Sequence, residues 1–181
     1  MSSTAQRTGP LDGRNFGTDG ITLSPASPAT RISLRARTGG LAEARKILGF
    51  ALPAEPKTSA AKGSIQCLWI GPDEWLIIDE DGSALPRKFA KAGNSKLSAV
   101  DVSHRNTAVL VSGQKAVDAL RSGCPQDLSS AVFPVGACSR TILGKSEIVL
   151  YRTGEHAFRV ECWRSFSNYV WTFLTDAAKA A

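Results

Sequence analysis

The sequence predicts an α+β domain in which a mainly antiparallel sheet is covered on one face by helices. Two pairs of apolar segments, within residues 65–79 and 148–162, each flank a short glycine-containing turn, as β-hairpins do. Residues 166–177 repeat apolar side chains at helical spacing, which is typical of an amphipathic helix. Hairpins that are interleaved with single helices favour an antiparallel over a parallel sheet.

The length and composition indicate one folded domain. A chain of 181 residues can build one core but not two well-packed ones, and 43% hydrophobic with 21% charged residues is ordinary for a globular protein. Residues 1–29 contain Gly9-Pro10, Pro25 and Pro28 without a sustained apolar period, so we predict a flexible N-terminal arm there. Residues 30–181 then form the single domain.

The first half of the domain begins with a strand and a helix. Apolar and polar residues alternate over residues 32–37, and apolar residues at helical spacing follow over residues 41–48 before a glycine stop. A loop then extends to Gly63. The hairpin of residues 65–79 turns at Gly-Pro-Asp, and Ser83 is a plausible cap for a short helix that ends near Ala92.

The second half repeats this mixture. Residues 100–102 and 107–112 are predicted strands, a helix follows over residues 116–120, and residues 124–140 are a long connection. In the second hairpin Arg159 and Glu161 alternate with apolar residues, which predicts one face exposed to water. The apolar stripe of the last helix consists of Phe166, Tyr169, Val170, Phe173, Leu174 and Ala177.

Charge and cysteine spacing exclude some function classes. The 22 basic against 16 acidic residues give +6, but they are scattered, so a solvated basic surface is favoured over a nucleic-acid footprint.

The four cysteines are far apart and form no C-x-x-C pair, which predicts that they bind no metal. We expect their thiols to be buried, with Cys124 beside Pro125 partly exposed. The cysteines are Cys67, Cys124, Cys138 and Cys162.

The location predicted from the sequence is the cytoplasm. The N-terminal residues lack the apolar core of a signal peptide, and no apolar run approaches eighteen residues. We therefore expect no membrane contact.

Residues of catalytic type occur, but their spacing favours structural roles. Asp101, Ser103 and His104 invite comparison with a catalytic triad, yet neighbouring side chains on a strand point to opposite faces, so the three cannot converge without a sharp bend. His104 is expected to bond loop backbone and His156 to be solvated. The acidic groups at residues 73–74 and 79–81 lack calcium-loop spacing and are predicted to be solvated turn residues.

No cofactor site is recognisable from the sequence. Neither G-x-G-x-x-G after a strand nor G-x-x-x-x-G-K-[ST] occurs, so the chain offers no cradle for a dinucleotide or nucleotide phosphate. Each tryptophan could be core or a partner-facing anchor. The core is the default for Trp69 and Trp75, and for Trp171, off the apolar stripe, the two remain open, as they do for Trp163.

Three ordered stretches resemble the γ subunit of heterotetrameric sarcosine oxidase over about residues 30–178. They are Gly71-Pro72-Asp73-Glu74-Trp75-Leu76, then Val100-Asp101-Val102-Ser103-His104-Arg105 with Gly113 and Leu120, then Arg140-Thr141 leading to Tyr151-Arg152, Phe158 and Arg164-Ser165-Phe166. The order is also similar to the N-terminal part of aminomethyltransferase, the folate-binding T-protein. That family has a Gly-Gly-x-x-Asp-Asp stretch where this chain has residues 143–147, Leu-Gly-Lys-Ser-Glu, so the aspartate that serves its chemistry is missing.

The resemblance implies a structural, non-catalytic subunit with no catalytic, cofactor-binding or metal-binding residue of its own. The complex would oxidise sarcosine to glycine, with formaldehyde and hydrogen peroxide, or methylene-tetrahydrofolate when folate is present, as further products. FAD, FMN, NAD and zinc are expected in partner subunits. The implied partners are the α, β and δ subunits, with α as the main contact.

Three other functions stay open at this stage. One is a subunit of a related N-methyl amino acid oxidase or dehydrogenase. Another is a stand-alone folate-dependent aminomethyl or methyl transferase, which would need an acidic group beside folate. The third is RNA binding or modification through the positive charge, although aromatic residues interleaved with clustered basic ones are absent.

Overall fold

The computed structural model describes residues 8–81, 84–92 and 96–181, and the proposed cap Ser83 lies outside them. The strands are β1 (Phe16–Thr18), β2 (Ile21–Pro25), β3 (Thr30–Ala36), β4 (Ser59–Lys62), β5 (Ile65–Gly71), β6 (Glu74–Asp79), β7 (Leu97–Asp101), β8 (Asn106–Ser112), β9 (Cys138–Leu143), β10 (Ser146–Gly154) and β11 (Ala157–Trp163). The helices are α1 (Thr38–Leu48), α2 (Leu85–Ala92), α3 (Ala116–Arg121) and α4 (Ser167–Ala180), with a short 3-10 helix over Arg164–Phe166.

The strands form two antiparallel sheets rather than one. The first sheet has the order β1-β2-β8-β11-β10-β9 and the second β4-β5-β6-β3-β7. The α+β class with antiparallel strands is confirmed. Strand β4 lies wholly, and β9 partly, within stretches predicted to be loop. The chain passes from the second sheet to the first between β7 and β8, a crossing that the local pattern of residues 100–112 does not reveal.

Each sheet is covered on its outer face by two helices. Helices α3 and α4 pack on the first sheet around Val109, Val160 and Leu174, and α1 and α2 pack on the second around Ile32 and Phe89. The turn that ends α1 is as predicted, since Gly49 has a left-handed φ of 79° and donates its N–H to Arg45 O at 2.8 Å.

The buried face of α4 differs from the predicted stripe by one residue. Trp171 is buried, whereas Phe166 and Tyr169 are exposed. Each buried position lies one residue after a predicted one, so the inward face is turned by about 100° from the one predicted. The buried residues of α4 are Ser167, Val170, Trp171, Leu174, Thr175 and Ala178.

The prediction of a flexible arm over residues 1–29 is wrong for its β1 and β2 part. Strand β2 pairs with β8, with Leu23 opposite Val111, and Leu11, Ile21 and Leu23 are at most 2% exposed. Apolar and polar residues do alternate within β2, but over too few residues between Gly20 and Pro25 to predict a strand. Gly113, which follows β8, allows the backbone of Gly20 before β2 to approach closely, because a Cβ at residue 113 would lie 2.2 Å from Gly20 O.

Replacing Leu23 tests whether β2 belongs to the core. We expect Leu23→Ala to lower the free energy of unfolding by about 2–5 kcal/mol, since it empties a fully buried site. Thr22→Ala, at the exposed neighbouring position, is the matched control. Urea unfolding measures both, and equal stability of the two variants would contradict the assignment.

Charged side chains are buried between the two sheets. Glu161, 1% exposed on β11, accepts from Arg31 Nε of β3 at 2.6 Å and from Arg159 Nε at 2.8 Å. Arg159 also reaches Glu80 at 2.6 Å. The predicted wet face of this hairpin is therefore wrong: its polar residues face the second sheet. Beside the charges lies a small apolar cluster of Leu68, Leu76, Ile78, Val102 and Cys138.

Glu161→Gln should destabilise the domain by about 3–5 kcal/mol, because two buried guanidinium groups would lose their shared counter-charge. Glu155→Gln, at an exposed turn carboxylate, serves as the control. Chemical unfolding at neutral pH is the measurement. A loss below about 1 kcal/mol in Glu161→Gln would show that this ion cluster contributes little to holding the sheets together.

Candidate functional site

The segment that joins β7 to β8 fixes its polar residues in a turn. The Asp101 carboxylate accepts from Ser103 N at 2.9 Å and from Ser103 Oγ at 2.5 Å, and these bonds lower the pKa of Asp101. Ser103 Oγ in turn accepts from Arg31 N on β3 at 2.9 Å. His104 is a partner in none of these bonds, so the serine hydroxyl serves to join the crossing segment to the second sheet.

The acidic turn residues are largely engaged with arginines, contrary to the prediction that they are solvated. Glu74 contacts both Arg35 of its own sheet and Arg140 of the first sheet, the latter at 2.9 Å. Asp73 is paired with Arg37 at 3.1 Å. Within the described ranges, no three or more His, Cys, Asp or Glu side chains are grouped so that they could hold a metal ion. These carboxylates connect strands and sheets.

Asp79 also departs from the prediction, because it is 1% exposed and accepts from Ser64 Oγ at 2.6 Å. His156 is half-buried, with its Nε2 atom 3.8 Å from Glu155.

Residues 143–147 form the turn between β9 and β10 and the strand residues on either side of it. Leu143 and Ser146 are buried, and Lys145 N donates to Tyr169 Oη at 2.9 Å. The carboxylate in this segment, Glu147, is exposed. The turn therefore anchors α4 to the first sheet and turns no acidic group inward.

The cysteine thiols are buried, including Cys124, which is 4% exposed although it was predicted to be partly accessible. Burial raises the pKa of Cys138 to about 12 and that of Cys162 to about 12, and it raises the pKa of Cys67 further. Because the thiolate is the reactive form, these groups are chemically inert in the folded chain.

Thiol labelling should report this protection. At pH 8 we expect Cys138 and Cys162 to react with a maleimide only after unfolding, with mass spectrometry locating the label. Their unfolded pKa lies near 9.0, so the stability that they contribute is fully present below that pH and declines as the pH rises towards 12. Rapid labelling of either thiol in the native chain would contradict the burial.

The tryptophans divide into core and surface. Trp75 is 4% exposed and donates its Nε1–H to Pro53 O at 2.8 Å, and Trp69 packs beside the same core, as predicted. Trp171 is core as well. Trp163 is 42% exposed, with the Phe166 ring centroid 6.2 Å away and the Arg105 guanidinium 5.3 Å above its ring.

Trp163 and Phe166 belong to a surface that we call the exposed rim, defined by Val100, Ile142, Trp163 and Phe166. These side chains are 54%, 47%, 42% and 43% exposed, respectively. Sequence reasoning left Trp163 open as an anchor but missed the others. The alternation along β11 contains a signal for Trp163. Arg159, Glu161 and Trp163 are each two residues apart, so their side chains share one face of the strand.

Concave sites occur elsewhere on the described part of the chain, among them a groove at α1 and a cleft near Ser103. A groove of about 640 Å³ between α1 and the following segment is lined by Leu41, Leu52 and Trp75 with Arg45 and Lys46 at its edge. A cleft of about 340 Å³ lies where the N-terminal segment meets the crossing at Ser103. Within the described residues, no helix has both the length and the continuous apolar character needed to cross a bilayer.

The two sheets with outer helices define an α+β protein of the aminomethyltransferase fold. The structure of glycine cleavage system aminomethyltransferase T from Bartonella henselae superposes with a TM-score of 0.60 at 12% identity, covering 86% of this chain and 45% of that one. At this identity the likeness concerns the fold alone.

Sequence comparisons identify the family within that fold. The family model for "Sarcosine oxidase, gamma subunit family" matches residues 36–180. The sarcosine oxidase subunit gamma of Corynebacterium sp. (strain P-1) is 30% identical over an alignment of 191 positions that covers 98% of this chain and 92% of that protein. That of an Arthrobacter species is 33% identical over an alignment of 162 positions that covers 87% of this chain and 79% of that protein. This chain belongs to the sarcosine oxidase gamma subunit family.

A solved complex contains a chain of the same size and shape. In the heterotetrameric sarcosine oxidase from Corynebacterium sp. U-96, crystallised with pyrrole 2-carboxylate, one chain matches with a TM-score of 0.88 and 29% identity. The match covers 96% of this chain and 95% of that one.

Proposed function

We propose that this chain is the structural, non-catalytic gamma subunit of a heterotetrameric sarcosine oxidase. One observation carries the proposal: the chain and its counterpart in a heterotetrameric sarcosine oxidase match along nearly their whole lengths, 96% and 95%, so they are equivalent units. The complex is an oxidoreductase that converts sarcosine, O2 and water to glycine, formaldehyde and H2O2, or forms methylene-tetrahydrofolate when folate is present.

The chemistry belongs to partner chains in this proposal. The ionisable residues that the sequence singles out support it, because Glu74 and Glu80 are paired with arginines, and the Asp101–Ser103 turn bonds to Arg31. FAD, FMN, NAD and zinc are assigned to partner subunits, and the α, β and δ subunits are the proposed partners, with α as the main contact. The cytoplasm is the proposed location.

The stand-alone transferase hypothesis has weaker support. The likeness to aminomethyltransferase T is one of fold, and the turn that replaces the acidic stretch exposes its only carboxylate, Glu147. A complex acting on a different N-methyl amino acid would use the same subunit architecture, and substrate profiling of the purified assembly separates it from sarcosine oxidase.

Co-expression with the other three chains of the sarcosine oxidase from the same source tests the proposal. We expect a tag on this chain to retain a flavin-containing complex that produces H2O2 from sarcosine, while the chain alone is colourless, inactive and without affinity for tetrahydrofolate by calorimetry. An unrelated tagged chain is the control. Sarcosine turnover by the lone chain, or absence of flavin from the tagged preparation, would contradict the assignment.

A further inference from the structure

We propose that the exposed rim is the surface through which this chain docks onto another subunit of the sarcosine oxidase assembly. The occupant that fits it has an apolar centre and acidic side chains at its edge. This inference rests on the proposed function and adds to it the part of the molecule that makes the contact.

The register of the first sheet places the rim beside the layer buried between the sheets. Val149 pairs with both Glu161 and Arg140, and this row across β11, β10 and β9 contacts the second sheet through its charged ends. The next row on the same face contains Ile142, Glu147 and Trp163, since Ile142 pairs with Glu147 and side chains alternate along each strand. All three are exposed.

This outer row lies at the β7 edge of the second sheet. Cys138, on one side of Arg140, packs against Leu68 of β5. Ile142, on the other side of Arg140, therefore lies towards β7, the opposite edge in the order β5-β6-β3-β7. Val100 is on β7 and pairs with Ser33. Ser33 lies two residues after the inward-facing Arg31 on β3, so Ser33 and Val100 point to the same inner face as Arg31. Val100 and the outer row of the first sheet thus border the same opening between the sheets.

The edge strand beside this opening is uncharged over most of its length. Strand β7 is an edge strand whose residues before Asp101 carry no charge and no proline, and Val100 on it is 54% exposed. Large apolar side chains that stand together on a surface mark interaction sites, and a tryptophan held in place by its neighbours is the commonest kind of anchor. Phe166 and Arg105 hold Trp163 in this way.

The charges around the rim indicate the chemistry of the partner. Arg105 lies over the Trp163 ring, Arg164 follows it in the chain and is exposed, and Glu147 is the acidic neighbour in the outer row. Two arginines thus flank Trp163 against one carboxylate in the outer row, the Asp101 carboxylate beside Val100 is bonded to Ser103, and the whole chain carries +6. A partner with acidic side chains facing the two arginines complements the rim, and such pairs also speed association.

A matched pair of substitutions tests the location. Val100→Glu introduces a carboxylate into the rim, and Val135→Glu introduces the same group at a residue of similar exposure, 59%, in the connection before β9. Trp163→Ala removes the anchor without adding charge. Each variant is co-expressed with the other three chains, and its fold is checked by thermal unfolding.

We expect Val100→Glu to abolish copurification of the flavin-containing complex and Val135→Glu to retain it. Trp163→Ala should weaken binding of the purified subunit on the order of 30-fold, as loss of an anchor does. The docking site is wrong if Val100→Glu and Trp163→Ala chains fold and assemble as the wild type does. Failure of the wild-type chain itself to recover flavoprotein would instead overturn the proposed function.

Discussion

A carboxylate buried between two arginines determines how the two sheets of this protein fit together. Glu161 bonds to Arg31 of the opposite sheet and to Arg159 of its own strand, all at most 3% exposed. A buried charge of this kind is costly unless its partners keep their geometry, so the cluster fixes the relative position of β3 and β11. The Glu74 bridge to Arg140 fixes the other end of the same row.

The same constraint bears on the proposed docking surface. Because the charged row sets where the second sheet lies, the next row of the first sheet projects beyond it and leaves Ile142 and Trp163 exposed. The acidic residues that could serve chemistry are engaged in ion pairs and turns instead. The exposed Glu147 between β9 and β10 and the exposed apolar side chains are consistent with the proposed role as a subunit of a larger assembly.

Local patterns in the sequence predict most elements, but not their arrangement in space. The turns at Gly71-Pro72-Asp73 and the stop at Gly49 depend on residues close in the chain, and both are correct. The alternation in β11 predicts that Arg159 and Glu161 lie on a solvent-exposed face. Alternation distinguishes the two faces of a strand, but it does not show that a second sheet covers the polar one. The face of α4 is displaced by one residue from the predicted one, because apolar residues lie on both sides of Val170 and the buried side is that of Trp171, not that of Tyr169. The rim could not be predicted, since it joins β7 and β11 from different sheets.

The structure of the purified assembly, determined by cryo-electron microscopy, tests the central claim most directly. The account predicts that Val100, Ile142, Trp163 and Phe166 are buried against another subunit, that acidic side chains of that subunit lie opposite Arg105 and Arg164, and that no residue of this chain contacts a flavin. A structure in which the rim faces solvent, or in which this chain supplies a group to the reacting centre, would contradict it.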